Sequence, residues 1–170
     1  MIKLKRPIKE YEAEALAFKK EFIDNGEQTI NGSELLDQMD SYDEWLKSVS
    51  DNTSQETVNP SWVVTDTYFA FDKNDRLVGV IDLRHELKGF LEDFGNCGYS
   101  VRPSERRKGY ATEMLRLIIE RAAEIGLGKL QLSVERTNEP SVKTILKNGG
   151  KYERSFTFEG EDADVYIIDC

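Results

Sequence analysis

The stretch that decides the fold runs from Val101 to Ala111 and reads VRPSERRKGYA. It continues an extended segment, passes through a short basic loop, and leads into an amphipathic helical pattern that begins near Gly109. The first turn of a helix offers unpaired N–H groups and the positive end of the helix dipole, which favour phosphate binding. Positively charged side chains at this position interact unfavourably with the helix dipole unless a bound anion compensates their charge. The stretch therefore predicts a strand-to-helix turn that holds a phosphate group.

Regular patterns continue on both sides of this turn. Residues 96–102 are extended, and the apolar positions after Ala111 form a helical stripe that stops at Gly126. Residues 130–134 then alternate between apolar and polar, as a strand does. So short a crossover predicts a parallel or near-parallel, right-handed βαβ unit.

The rest of the chain divides into further helical and strand patterns. Apolar stripes of helical spacing dominate the first third, and alternation around a polar turn at residues 72–75 predicts an antiparallel hairpin in the middle. The remaining predicted elements are a strand at 2–6, helices that open at Pro7 and after Ser33, hairpin strands at 62–71 and 77–84, a helical turn within 86–94, a helix at 138–147, and strands at 151–158 and 163–169. This order predicts one α/β domain over residues 1–170, with a mixed sheet of about six to seven strands and helices on both faces.

Composition excludes several classes of protein. The 170 residues suit one domain, and no apolar run approaches the length of a membrane span. Only Cys97 and Cys170 are present, which excludes a disulfide scaffold and fits a reducing cytosol. With a single histidine, the chain also lacks the ligands of a zinc finger. We therefore expect a cytoplasmic protein without a secretory signal at its start, without a metal and without a membrane partner.

Charge is distributed unevenly along the chain. The net charge is −9, and residues 21–60 carry ten acids against one base, Lys47. Residues 102–108 run the other way, with four bases and one acid. This overall charge repels nucleic acid, whereas a compact basic segment suits a small anionic ligand. Both segments could instead be solvated faces, as charge runs usually are.

Sequence motifs limit the kinds of phosphate ligand that this turn could bind. The motif G-x-x-x-x-G-K-[ST] is absent, which excludes a P-loop. The motif G-x-G-x-x-G is also absent, so a dinucleotide-binding fold is only a weak alternative, in which Glu135 would bind the ribose. Instead, residues 106–111 read R-R-K-G-Y-A, and Asn138–Ser141 read N-E-P-S, with Gly149 eleven residues after Asn138. These two blocks and the order of elements resemble the GNAT superfamily of N-acetyltransferases, whose coenzyme A signature is [Q/R]-x-x-G-x-[G/A]. The resemblance covers nearly the whole chain.

The resemblance implies a role for each segment of the chain and a binding site for acetyl-CoA as co-substrate. Residues 1–60 would supply an N-terminal strand and acceptor-side helices, residues 61–125 the hairpin and coenzyme signature, and residues 126–170 the second motif and closing strands. The backbone at Val101 would pair with the pantetheine arm, and Asn138 and Ser141 would lie beside it. The implied coenzyme-binding residues are Val101, Arg106, Arg107, Lys108, Gly109, Tyr110, Ala111, Asn138 and Ser141. Asn138 also fits a plain helix N-cap.

Two positions depart from the family pattern. Ile145 stands where many members carry a tyrosine that acts as general acid, and Asn96 and Cys97 stand where many carry a glutamate that acts as general base. Near pH 7 only a histidine titrates without a special environment, so His85 is the candidate catalytic base. The alternatives are that His85 caps an element, or that bulk water takes the proton.

Two functions follow from the resemblance. The first is acetyl transfer from acetyl-CoA to a small-molecule or peptide amine by direct attack, with a cationic acceptor favoured by the acids of residues 21–60. The second is a catalytically silent module on the same fold that binds coenzyme A or another protein. An uncovered edge strand would allow a homodimer.

Overall fold

Two antiparallel sheets lie side by side at the centre of the computed structural model, which describes residues 1–170. The strands are β1 (Lys3–Lys5), β2 (Thr65–Phe71), β3 (Leu77–Arg84), β4 (Tyr99–Val101), β5 (Lys129–Glu135), β6 (Lys151–Phe158) and β7 (Glu161–Asp169). The helices are α1 (Glu12–Asp24), α2 (Tyr42–Asp51), α3 (Leu91–Phe94), α4 (Tyr110–Glu124) and α5 (Glu139–Lys147). None of these helices has the length and apolar character needed to cross a bilayer.

The first sheet has the strand order β1-β2-β3-β4, and all of its pairs are antiparallel. The predicted hairpin is confirmed as β2 and β3, with Thr67 opposite Asp82. At its turn the Asp72 carboxylate accepts from the N–H groups of Asn74 and Arg76, a local bond typical of aspartate in turns. The sheet ends at β4, so the outer edge of β4 has no strand partner.

The second sheet has the order β5-β7-β6 and is also antiparallel. The α/β class is confirmed, but the expected β4–β5 pairing does not form, so the sheet is divided into two. An isolated bridge between Gly95 and Leu132 joins the two sheets just before β4 begins. A side chain on Gly95 would collide with the Gln131 carbonyl, so this close approach requires glycine. A gap therefore separates the free edges of β4 and β5.

Helices cover both faces, as predicted. On one face α4 and α5 pack over an apolar core that includes Ile81, Leu115 and Leu132. On the other face α1 and α2 pack over a second core centred on Phe18, Trp45 and Phe69. The two cores hold the first sheet from opposite sides, the second sheet packs on the core under α4 and α5 alone, and the gap between β4 and β5 stays open.

The second helix begins later than predicted. The expected cap at Ser33 is wrong, because α2 starts at Tyr42 and is capped by Ser41, whose hydroxyl accepts from the Glu44 N–H. Residues 33–38 form turns in which Glu34 and Leu35 have positive φ angles of 50° and 73°. The indole N–H of Trp45 donates to the carbonyls of Ser33 and Glu34 and holds this segment against α2.

Candidate active site

A cavity of about 780 Å³ occupies the gap between β4 and β5. One half is lined by β4, the first turn of α4 and the start of α5. The other half is lined by α3 and by the hairpin of β6 and β7, and the loop around Gly32 packs against Gly98 and Tyr99 at the start of β4. The cavity therefore lies between the free edges of the two sheets and is bordered by both.

The turn before α4 presents a row of free backbone donors to this cavity. Gly109 has a φ of 85° and Arg107 a φ of 65°, so the chain curls and its amides point the same way. The N–H groups from Arg107 through Thr112 have no acceptor within the protein. All of these residues except Lys108 line the cavity. Such a row of N–H groups at a helix N-terminus is suited to phosphate oxygens.

Most cations of the basic segment are already paired. Arg106 makes two bonds of 2.8 and 2.9 Å to the carboxylate of Glu27, and these bonds lower the pKa of Glu27. Lys108 bonds Glu105 at 2.8 Å, which lowers the pKa of that carboxyl. Only Arg107 has no acidic partner among the cations of residues 106–108. An anion in this turn would thus rely on backbone donors and Arg107 more than on the basic cluster as a whole.

The start of α5 also borders this part of the cavity. The Asn138 side chain accepts from the Ser141 N–H at 3.3 Å, so the plain N-cap interpretation is confirmed. The Ser141 hydroxyl lies 2.6 Å from the hydroxyl of Tyr99, which reaches across from β4. Burial raises the pKa of Tyr99 to about 12, so its hydroxyl keeps its proton at neutral pH. Val101, Asn138 and Ser141 all line the same half of the cavity.

Comparison with models of protein families shows which family has this fold and this turn. The family model described as an acetyltransferase (GNAT) domain matches residues 4–151. The chain belongs to the GNAT acetyltransferases. A search of curated proteins finds no match.

Solved structures of other GNAT acetyltransferases share the fold. The chain is similar to RimL, a ribosomal L7/L12 alpha-N-protein acetyltransferase in complex with coenzyme A, with a TM-score of 0.71 and 15% identity over 99% of this chain and 93% of that one. It is also similar to a dodecameric spermidine N-acetyltransferase from Vibrio cholerae, with a TM-score of 0.67 and 15% identity over 99% and 93% of the two chains. At such low identity the likeness shows the fold alone.

The GNAT positions for acid and base serve other purposes here. Asn96 is 5% exposed, and its side chain donates to the Arg84 carbonyl and accepts from the Gln131 N–H, each at 2.9 Å. It thus joins the first sheet to the second. Burial raises the pKa of the Cys97 thiol well above its usual range, so this residue is no ready nucleophile. Ile145 is buried in the apolar core.

His85 lies apart from the cavity residues. Its Nε2 is 2.8 Å from the carboxylate of Asp66, which is almost fully buried and also pairs with Arg6 at 2.8 Å. Its backbone N–H donates to Val64, extending the hairpin. His85 is absent from the cavity lining, whereas the preceding residue, Arg84, is part of it. The catalytic role of His85 stays a prediction without a contact to the site.

A buried charged cluster beside the cavity escaped the sequence interpretation. Asp82 is fully buried, accepts from the Gly98 N–H at 2.7 Å, and pairs with Arg84 at 3.2 Å. The partly buried Glu34 lies beside this pair and accepts from the Trp62 indole at 2.9 Å. Burial and the nearby Asp82 carboxylate raise the pKa of Glu34 to about 8. The sequence feature that indicates this cluster is a pair of charged residues, Asp82 and Arg84, in a strand that is otherwise apolar.

Replacing Glu34 by glutamine is expected to stabilise the protein at alkaline pH. Between its ordinary pKa of 4.5 and about 8, Glu34 holds a proton in the folded state that the unfolded state lacks, so wild-type stability falls as pH rises through this range. Glutamine removes this loss, which we expect to amount to about 1–3 kcal/mol of unfolding free energy at pH 9. Urea unfolding of both proteins at pH 5 and pH 9 measures it. Parallel pH dependences in the two proteins would contradict the expectation.

Proposed function

We propose that this protein transfers an acetyl group from acetyl-CoA to an amine. The observation that carries the proposal is the row of free N–H groups from Arg107 to Thr112 at one end of the cavity. These donors fit a diphosphate, and the free edge of β4 at Val101 fits the amide groups of a pantetheine arm, which would add to it as a strand. The thioester would then lie between the two sheets.

The amine would attack the thioester directly. Cys97 lines the cavity, but burial raises the pKa of its thiol, and Cys170 lies outside the cavity lining, so neither is suited to form an acyl intermediate. The cavity has room for both reactants, and holding them in line supplies several kcal/mol of the barrier reduction. The attacking amine is neutral, and its proton passes to water after the new C–N bond forms.

Tyr99 is the group we assign to the departing sulfur. As the C–S bond of the tetrahedral intermediate breaks, the Tyr99 hydroxyl gives its proton to the thiolate and regains one through Ser141 and solvent. The bond between the two hydroxyls and the position of both residues in the cavity lining support this role. Tyr99 would thereby act as the general acid, a role that the aliphatic side chain of Ile145 cannot fill.

A cationic acceptor is part of the proposal, on grounds that differ from the sequence interpretation. Many of the acids in residues 21–60 are engaged in ion pairs, including Glu21 with Arg102 and Glu27 with Arg106. Two other carboxylates in the cavity lining, Glu135 and Glu161, are exposed and have no basic partner. One similar structure is a spermidine acetyltransferase, in keeping with an amine of this charge. A homodimer remains a prediction.

Turnover with cationic amines is expected to fall as salt is added. Negative charge at the acceptor half attracts cations, and salt screens this attraction over a Debye length of about 8–10 Å at physiological ionic strength. We expect kcat/KM for the best amine to drop several-fold between about 0.02 and 0.5 M NaCl, with kcat almost unchanged. An unchanged kcat/KM would remove the cationic acceptor from the proposal.

Release of free thiol from acetyl-CoA, measured across a panel of primary amines, tests the activity itself. Thiol release that depends on the amine, with matching acetylated product by mass spectrometry, is the expected result. Tight binding of acetyl-CoA without release on any amine would favour a silent coenzyme-binding module instead.

A further inference from the structure

One face of the second sheet forms a wall of the cavity. Residues directly opposite each other on neighbouring antiparallel strands share a face, so Glu135 and Phe156 flank Ala163, and Phe158 stands next to Glu161. All five side chains belong to the cavity lining. The opposite face of the sheet carries Leu132 and Tyr166 and packs into the core under α4 and α5, so the wall is the face turned away from those helices.

Aromatic rings dominate this wall. Phe94 from α3 meets Phe156 and Phe158 edge to face, with ring centroids 5.7 and 4.9 Å apart and interplanar angles of 83° and 90°. Phe158 is 48% exposed even though it takes part in this cluster. The faces of aromatic rings carry negative potential, and they attract ammonium groups within about 6 Å.

Carboxylates without partners complete the wall. The nearby base Arg136 points to the other face, where it pairs with Asp162 at 3.5 Å and Asp164 at 2.9 Å. Glu135 and Glu161, which alternate with these residues along the strands, form no ion pair. The wall therefore combines aromatic rings with uncompensated negative charge, and this combination is complementary to an alkylammonium ion.

From this wall we infer a subsite for a second ammonium group of the acceptor, formed by Phe94, Phe158, Glu135 and Glu161. The inference rests on the proposed function and narrows its substrate class. The amine that attacks must be neutral when it reacts, so an ammonium that stays bound to the negative wall during the reaction is a second group of the acceptor. The acceptor is accordingly a linear aliphatic diamine or longer polyamine, whose distant ammonium rests on the wall while its free amine reaches the thioester.

Binding measured without turnover tests the subsite directly. With the protein saturated with coenzyme A, calorimetry compares 1,5-diaminopentane with n-pentylamine, which lacks the second charge. Wild type is expected to bind the diamine at least about 10-fold more tightly than the monoamine. The double variant Glu135→Gln/Glu161→Gln is expected to lose this preference, and Phe158→Leu to reduce it several-fold. The control Glu153→Gln, on β6 outside the cavity lining, is expected to behave as wild type.

Thiol release measured with the same proteins and amines separates this inference from the proposed function. Diamine preference in binding without turnover would overturn the activity but uphold the subsite. Turnover in which both amines bind and react equally, or a preference that survives in the double variant, would overturn the subsite and uphold acetyl transfer. Loss of coenzyme A affinity in the double variant would also count against the subsite, because the subsite is assigned to the acceptor and not to the coenzyme.

Discussion

Gly109→Trp is expected to abolish measurable binding of acetyl-CoA while the protein stays folded. A Cβ atom at this position meets no atom of the protein within 4 Å, so the turn has room for a larger side chain next to the free N–H groups. There it would block the approach of the diphosphate to the backbone. Calorimetric titration of acetyl-CoA, with circular dichroism to check the fold, measures the effect.

Gly126→Trp is the matched control for this substitution. Gly126 has a φ of 87°, it too has open space around its missing side chain, and it lies at the far end of α4 outside the cavity lining. Both variants carry the same left-handed strain of about 1–2 kcal/mol, so only the position differs. Wild-type affinity in Gly109→Trp, or equal losses in the two variants, would remove the diphosphate from this turn.

Tyr99→Phe is expected to reduce kcat by about 10²-fold or more with little change in acetyl-CoA affinity. Phenylalanine keeps the apolar packing of the ring against the core but removes the proton donor. Pre-steady-state release of thiol, measured alongside calorimetric affinity, separates the chemical step from binding.

Ser141→Ala distinguishes a proton donor from a structural clamp. Both substitutions break the bond between Tyr99 and Ser141, but only Tyr99→Phe removes the phenol. A donor role predicts a much larger fall in kcat for Tyr99→Phe than for Ser141→Ala. Equal losses in the two variants, accompanied by weaker acetyl-CoA binding, would show that the pair only fastens β4 to α5.

The elements that carry their own local signals were predictable from the sequence. The stripe in α4, the turn at residues 72–75 and the closing strands all depend on neighbours close in the chain. The start of α2 was missed because the stripe continues back through Leu35 and Leu36. Tertiary bonds from Trp45 hold that segment in turns instead, and no local pattern reveals such bonds.

The site was predictable where backbone geometry defines it and unpredictable where side chains meet across the fold. The turn at Gly109 follows from one glycine and a helix start. The pairing of Arg106 with Glu27 joins residues 79 positions apart, and the contact between Tyr99 and Ser141 spans 42. His85 attracted attention as the single histidine, although its neighbour Arg84 is the residue that faces the cavity.

The hydrogen bonds of Asn96 between the two sheets require an amide at this position. An amide can donate to the Arg84 carbonyl and accept from the Gln131 N–H at once, but a carboxylate can only accept. An acid at this position would leave the Arg84 carbonyl without its donor, at a cost of about 1–3 kcal/mol. A carboxylate introduced here as a general base would therefore weaken the contact between the two sheets. Stability of this contact and a base at position 96 are alternatives in this chain.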